Sequence, residues 1–417
     1  MEKKKFSVKE YINLFLNKNF VIIILIAMAN GFASRLCTAP LTSHGMTIAG
    51  MTGTLIGISI TVNKIVSMLG RPVSGSTFDT IGCKKTLMIA FVGKSTAYIF
   101  LSFTKSVPMW FVGKALEGFT NAILGGLIVA AAISIVGAQG RGLAISCMSA
   151  FPALVTGLAP VVSKSIFTAT SYSTALLIGG ISMVVPAILC FFLDEDTIQM
   201  TKLGRKKPVE NTAAKLPWYK KLASGIMIVV LPVCTMGLFA NVAKDLNNNY
   251  IVQLGELTGI DVTGGIAIAG FVSFVLAIAI GIVIDVAGNT VVLYLGYALL
   301  AAANLLYGYG NTQSAYTFAA LCFSVGIAAY WPALQAYVFK VAGPGRQGAA
   351  SATLYLFLDV VAVVFGTLTG VLYDLVGLQN VFKLVGFIVI GAVVYFTVLK
   401  FAWLDKFVAK CDAGGDN

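Results

Sequence analysis

The chain has 417 residues, of which 58% are hydrophobic and only 11% are charged, and its formal net charge is +12. Soluble domains carry about 25% charged residues, so this chain has too few charges to cover the two or three domains expected for its length. The composition therefore excludes an ordinary soluble protein and indicates a surface covered by lipid. The basic residues lie in short connectors between apolar runs, which argues against a nucleic-acid partner.

The N-terminal segment is charged and then apolar, but no cleavage site of the usual kind follows it, so we expect a first membrane anchor that is retained. A membrane-crossing helix needs about 20 mostly apolar residues, and the chain contains twelve such runs. They cover roughly residues 20–41, 51–70, 86–104, 108–133, 142–163, 172–193, 224–243, 263–284, 291–309, 316–338, 348–372 and 381–401. The pattern predicts an all-α membrane protein with twelve transmembrane helices in two pseudo-symmetric six-helix bundles.

These runs divide the chain into five parts. We predict a cytoplasmic N-terminal tail, a first bundle, a cytoplasmic linker, a second bundle and a cytoplasmic C-terminal tail, over residues 1–19, 20–193, 194–223, 224–402 and 403–417. The orientation follows from the Lys and Arg residues, which collect in alternate loops and in the linker, because positively charged loops stay in the cytoplasm. The longest outer loop is expected between the seventh and eighth helices, with Asp245, Glu256 and Asp261 in it.

A short motif occurs at matching positions of the two halves. Gly75, Asp79 and Gly82 follow the second span, and Lys84 and Lys85 come directly after them. The same spacing returns after the eighth span, at Gly281, Asp285 and Gly288. Repeated halves of this kind are typical of transporters whose site lies at the repeat interface.

The stretch RPVSGSTFDTIGCKK, at residues 71–85, closely resembles the loop signature of the major facilitator superfamily. The resemblance covers essentially the whole chain and implies a twelve-helix bacterial type of drug or solute exporter in the inner membrane. It also implies that Asp79, Lys84 and Lys85 are gating residues, while Gly75 lets two helices approach closely. The alternative is that Asp79 is a helix cap and that the lysines only set the topology.

Two further stretches carry the resemblance. Gly113, Lys114, Glu117 and Gly118 resemble the fourth-helix pattern of the superfamily, although Lys114 stands where arginine is usual. The fifth helix, with Pro160, only partly resembles the signature of drug/proton antiporters.

Ionisable side chains inside spans are costly, so they are candidates for substrate binding or ion coupling. They are Arg35, Lys64, Lys94, Lys114, Glu117 and Asp359. Lys94, Glu117 and Asp359 are expected about 13 to 17 Å from their helix ends, near the midplane. Structural alternatives remain open, because Glu117 can pair with Lys94 or with Lys114, three residues before it. The one histidine, His44, is expected at the surface of an outer loop.

The superfamily lines its cavity with the first, fourth, seventh and tenth helices. The resemblance therefore implies cavity positions for Asn30, Asn121, Tyr330, Trp331 and Gln335, although bundle packing also explains such residues.

These observations predict a secondary active transporter of a small organic solute that works by alternating access and is coupled to a proton or another ion. Basic groups outnumber acidic ones inside the spans, which favours anionic or zwitterionic metabolites; the alternative is a proton-coupled multidrug efflux antiporter. An enzyme is not expected, because the chain has one histidine and no HExxH or GxSxG pattern. No P-loop pattern occurs, so we do not expect ATP to drive transport directly. The seven cysteines contain no CxxC pair, so we expect neither disulfides nor a metal site. We expect no cofactor, a small-molecule substrate and the lipid bilayer as partners, and a monomer.

Overall fold

The computed structural model describes residues 17–136, 141–194, 231–287, 289–342 and 347–404. Within these ranges the chain is helical and contains no strand. The helices before residue 194 are α1 (Lys18–Thr47), α2 (Gly53–Ile81), α3 (Cys83–Ser102), α4 (Val107–Val136), α5 (Arg141–Ala169), α6 (Tyr172–Ser182) and α7 (Val184–Leu189). Those after it are α8 (Leu231–Thr258), α9 (Val262–Ala287), α10 (Asn289–Tyr309), α11 (Gln313–Ala342), α12 (Gln347–Val376) and α13 (Leu378–Leu399). The predicted tails and linker lie almost wholly outside the described residues.

Nine segments of the described ranges are long and apolar enough to cross a membrane; α6, α7 and a short 3₁₀ turn together make one of them. The three other predicted spans correspond to α3, α8 and α9. Lysines interrupt α3, and polar residues at 244, 245 and 247–249 interrupt α8. In α9 the continuous stretch whose side chains the structure describes is Val262–Leu276, and it is apolar. The predicted class, an all-helical membrane protein, is confirmed.

Two expectations about the outer side are wrong. α8 does not end near residue 243 but continues to Thr258, so Asp245 and Glu256 lie inside a helix rather than in a long loop. The polar run is accommodated by hydrogen bonds: Asn247, 2% exposed, donates to the Ala243 carbonyl at 3.0 Å and to Asn304 Oδ1 at 3.2 Å. His44 is fully buried in the last turn of α1 and stacks on Trp110, because that turn packs against other helices.

The chain divides into two compact units. The first comprises Met1–Met51 and Val62–Ala214, and the second comprises Thr52–Thr61 and Lys215–Asn417. In the first unit α1 packs on α5 and α6, and α3 packs on α4 and α6. Its apolar core includes Phe20, Ile23, Leu87 and Phe91, none more than 1% exposed. Packing of such side chains against each other stabilises the unit through van der Waals contacts, since in a bilayer the surrounding lipid tails are as apolar as the side chains themselves.

Two glycines of the first unit have specific reasons to be glycine. A Cβ atom on Gly118 of α4 would lie 2.3 Å from the backbone oxygen of Asn63 of α2, so only glycine permits this approach. Gly82 joins α2 to α3 with a φ of 89°, a left-handed conformation that side chains rarely adopt. The last glycine of the loop motif is therefore required by the backbone.

In the second unit α10 packs on α11 and α13, α9 on α11, and α8 on α12. The close approach of α10 to α11 occurs at Gly296, where a Cβ atom would lie 2.9 Å from the Tyr330 nitrogen. The segment Thr52–Thr61 also belongs to this unit. Its helical start is capped by Asp374 of α12, whose carboxylate accepts from the backbone N–H groups of Gly53 at 2.8 Å and Thr54 at 2.6 Å.

Candidate functional site

A buried ion pair lies in the first unit, on α4. Lys114 and Glu117, each 5% exposed, face the same side of the helix, with Lys114 Nζ 2.5 Å from Glu117 Oε2. The other carboxylate oxygen, Oε1, accepts from the Tyr98 hydroxyl of α3 at 3.0 Å. The charge of Glu117 is therefore matched by Lys114, as the spacing of three residues allows.

Lys94 lies on α3, four residues before Tyr98, and is 6% exposed. Its ammonium donates to Ser34 Oγ of α1 at 2.9 Å, and Ser34 Oγ in turn donates to Asn30 Oδ1 at 3.4 Å. Lys94 is close enough to Glu117 for electrostatic interaction. Among the described residues, however, no carboxylate oxygen lies within 4.0 Å of the Lys94 ammonium.

The buried cluster thus has an excess of positive charge, because two lysines face one glutamate. A lysine ammonium has three N–H donors, and the structure assigns a hydrogen-bond partner to one donor of Lys94. A buried charge that lacks a counter-ion is costly, so an anionic group that reaches Lys94 would be bound favourably. Arg35 follows Ser34 on α1 and is half-buried.

The structure gives three residues of the predicted gating loop a definite position. Lys84 donates to the carbonyl oxygens of Phe191 at 2.7 Å and Leu193 at 3.2 Å, at the end of the sixth span. This contact satisfies carbonyl groups that a helix end leaves without partners. Lys85 is exposed and Gly82 forms the turn described above. Of Gly75, Asp79, Gly281 and Asp285 the structure describes only the helical backbone, and Gly288 lies outside the described residues.

The candidates of the second unit do not form a comparable charge cluster in its described part. Tyr330 is 1% exposed and donates to the Gly237 carbonyl at 3.0 Å, so it ties α11 to α8. Trp331 is half-buried, and Lys244 Nζ lies 5.4 Å from its ring centroid, a cation–π distance. Asp359 is 8% exposed on α12. The remaining candidates, Lys64 and Asn121 of the first unit and Gln335 of α11, are half-buried.

Sequence reasoning missed Tyr98 and Ser34 as members of the Lys94–Glu117 cluster, and it placed Asp245 in a loop. Tyr98 could have been predicted, since it follows Lys94 by four residues and therefore lies on the same face of the helix. Nothing in the sequence around Ser34 indicates its contact with Lys94, because the two residues belong to different helices. Asp245 was assigned to a loop because of the polar residues around it, and its position inside α8 emerges only from the structure.

Comparisons with known proteins agree with this architecture. The sequence profile of the Major Facilitator Superfamily matches residues 13–365 and again residues 246–414. The chain is 22% identical over 392 residues to the tetracycline resistance protein, class H, of Pasteurella multocida, covering 86% of this chain and 90% of that protein. It is 24% identical over 372 residues to the staphylopine export protein of Staphylococcus aureus, covering 84% and 88%.

Solved structures with a similar fold have lower sequence identity. A variant of the nucleoside transporter NupG superposes with a TM-score of 0.73 at 13% identity, covering 93% of this chain and 99% of that chain. The human organic anion transporter MFSD10 gives a TM-score of 0.61 at 18% identity, covering 92% and 99%. These likenesses show a shared fold.

Proposed function

From the premise that the chain belongs to the Major Facilitator Superfamily, we propose that it is a secondary active transporter of small anionic or zwitterionic organic solutes. That it is a multi-span membrane transporter and not an enzyme follows from the family and its relatives. The anionic substrate class rests on one observation, the buried Lys94 ammonium with a single hydrogen bond to Ser34.

In this proposal Lys94 binds a carboxylate or phosphate group of the solute. A charge-assisted hydrogen bond is about twice as strong as a neutral one. The Lys94 ammonium can offer such a bond to the solute because the neighbouring carboxylate, Glu117, is already paired with Lys114. The Ser34 and Asn30 side chains orient the ammonium from α1. Arg35 and Lys64 are proposed to attract the anion on its way in and out.

Coupling to a proton is assigned to Asp359, with Glu117 as the second candidate. A carboxylate near the middle of a membrane helix is expensive to keep charged, so protonation can follow the side to which the site is open. Glu117 is less suited, because both of its oxygens have partners in the structure. We further propose alternating access with Asp79, Lys84 and Lys85 in the gate, a monomer, and a bacterial inner membrane with both termini cytoplasmic.

The alternative is proton-coupled multidrug efflux. The observation in its favour is that the two relatives are named as a resistance protein and an export protein. The two hypotheses, transport of anionic or zwitterionic solutes and multidrug efflux, both predict proton-coupled transport in proteoliposomes. They differ in the compounds that the protein transports.

The test is transport of a panel of organic anions, zwitterions and amphipathic drugs in proteoliposomes with and without a pH gradient. We expect Lys94→Met to raise the apparent KM for anionic solutes about tenfold or more, the loss expected for a hydrogen bond to a charged group, while Lys94→Arg retains most activity. Lys164→Met, which removes a lysine from α5, is the matched control. Unchanged anion transport by a well-folded Lys94→Met protein, or transport of drugs alone, would contradict the proposal.

A further inference from the structure

A chain of two hydrogen bonds in the first unit runs from Lys94 of α3 to Asn30 of α1. The Lys94 ammonium carries only N–H donors, and it donates to Ser34 Oγ at 2.9 Å. The Ser34 hydroxyl donates in turn to Asn30 Oδ1 at 3.4 Å. This orientation of the Asn30 amide is favourable, because the opposite one would turn its NH₂ group toward the positive charge. The two N–H donors of Asn30 therefore point away from the ammonium.

The Nδ2 atom of Asn30 forms the outer end of this chain of hydrogen bonds. No described residue accepts a hydrogen bond from it. Asn30 is half-buried, and its Nδ2 atom is not among the fully buried polar atoms that lack a partner in the described part of the protein. The atom is therefore accessible from outside the protein. An accessible amide donor close to a buried ammonium is a position where an acceptor group of a solute can bind.

The groups around this chain supply positive charge and donors. Lys94 has two N–H donors beyond the one given to Ser34. Among the described residues, the carboxylate that interacts with Lys94 is that of Glu117, and both of its oxygens are engaged, one by Lys114 and one by the Tyr98 hydroxyl. An ammonium group brought by a solute would be repelled by the two lysines, whereas a further acceptor group would find donors.

We propose that the Lys94 site binds organic anions whose second polar group is also a hydrogen-bond acceptor, such as dicarboxylates, and discriminates against zwitterions. One carboxylate accepts from the two remaining donors of Lys94, and the second acceptor group binds Asn30 Nδ2. Asn30 is then a residue that determines specificity. The inference rests on the proposed function, in which Lys94 holds the anionic group, and it narrows the solutes from anionic or zwitterionic to anionic.

The experiment compares binding of succinate, propionate and β-alanine, which share a propionate chain and carry at its far carbon a carboxylate, no substituent and an ammonium. Apparent Kd values come from the rise in thermal unfolding temperature with probe concentration, for the full-length protein in lipid nanodiscs at pH 7 and constant ionic strength. We expect succinate to bind about tenfold more tightly than propionate, because Asn30 donates to its second carboxylate. We expect β-alanine to bind about tenfold more weakly than propionate, because the lysines repel its ammonium.

Two variants and a control assign these differences to residues. Asn30→Ala should weaken succinate binding about tenfold and change propionate binding by less than about twofold, a split that a general loss of structure would not produce. Lys94→Met should weaken binding of both anions about tenfold or more. Asn311→Ala removes an amide from an exposed connection of the second unit and should change neither.

The outcomes separate the inference from the proposed function. Binding of β-alanine as tight as that of propionate, or an equal loss of succinate and propionate binding in Asn30→Ala, would overturn the inference, while a loss of anion binding in Lys94→Met would still support the proposed function. Anion binding that is unchanged in Lys94→Met would contradict both. If Asn30→Ala does not fold, the order of the three probes on the wild-type protein decides.

Discussion

At the scale of single residues, the question for Glu117 is whether it forms a structural ion pair with Lys114 or carries the coupling proton. Both are almost fully buried and their charged atoms lie 2.5 Å apart. Removing one partner leaves the other charge buried without compensation, which costs about 3 kcal/mol or more. We therefore expect Glu117→Gln to lower the thermal unfolding temperature in detergent markedly.

The matched control removes both charges. Lys114→Met combined with Glu117→Gln should recover most of the unfolding temperature, because no isolated charge remains. A double variant as unstable as Glu117→Gln alone would show that the pair is not the reason for the loss. A stable Glu117→Gln protein without pH-driven transport would assign the coupling role to Glu117 instead of Asp359.

At the scale of helices, the approach of α2 to α4 depends on Gly118. The added methyl group of Gly118→Ala would meet the backbone of Asn63, which cannot move aside as a side chain can. We expect a loss of about 1 to 3 kcal/mol in the free energy of unfolding, measured by denaturant unfolding in detergent. Gly391→Ala on α13 is the control, since no atom lies within 4 Å of the added Cβ, and equal effects of the two changes would exclude crowding as the cause.

Most helices were predictable because a membrane-spanning helix requires about 20 mostly apolar residues, which can be recognised in the sequence. The prediction failed where polar residues are buried by tertiary contacts. The run at 244–249 has the composition of a loop, yet α8 continues through it because Asn247 bonds within its own helix and to Asn304 of α10. His44 is polar and near a helix end, but stacking on Trp110 of α4 buries it.

The candidate site was predictable only in part, for the same reason. Spacing along α4 identified Lys114 and Glu117 as a possible pair, because that interaction lies within one helix. The contact of Lys94 with Ser34 joins α3 to α1, and the hydrogen bond from Tyr98 to Glu117 joins α3 to α4. Such contacts between helices have no fixed spacing in a sequence.

At the scale of the whole molecule, the distribution of basic residues predicts the orientation in the membrane. The connections expected outside, at residues 48–52, 103–106, 170–171, 259–261, 310–312 and 377, contain one basic residue, Lys105. Lysine and arginine are instead concentrated in the N-terminal tail, the linker and alternate loops. Because cytoplasmic loops carry the excess of positive charge, we expect the tails and the linker to be cytoplasmic.

Cysteine labelling tests this orientation in a variant that lacks the seven native cysteines. A membrane-impermeant maleimide should label Asn311→Cys, an exposed position between α10 and α11, in intact cells. It should label Lys206→Cys, in the predicted linker, only after the cells are permeabilised. The two positions control each other, because an inverted protein would exchange their labelling patterns. Labelling of Lys206→Cys in intact cells would therefore reverse the topology and, with it, the sides assigned to the gating loop and to Arg35.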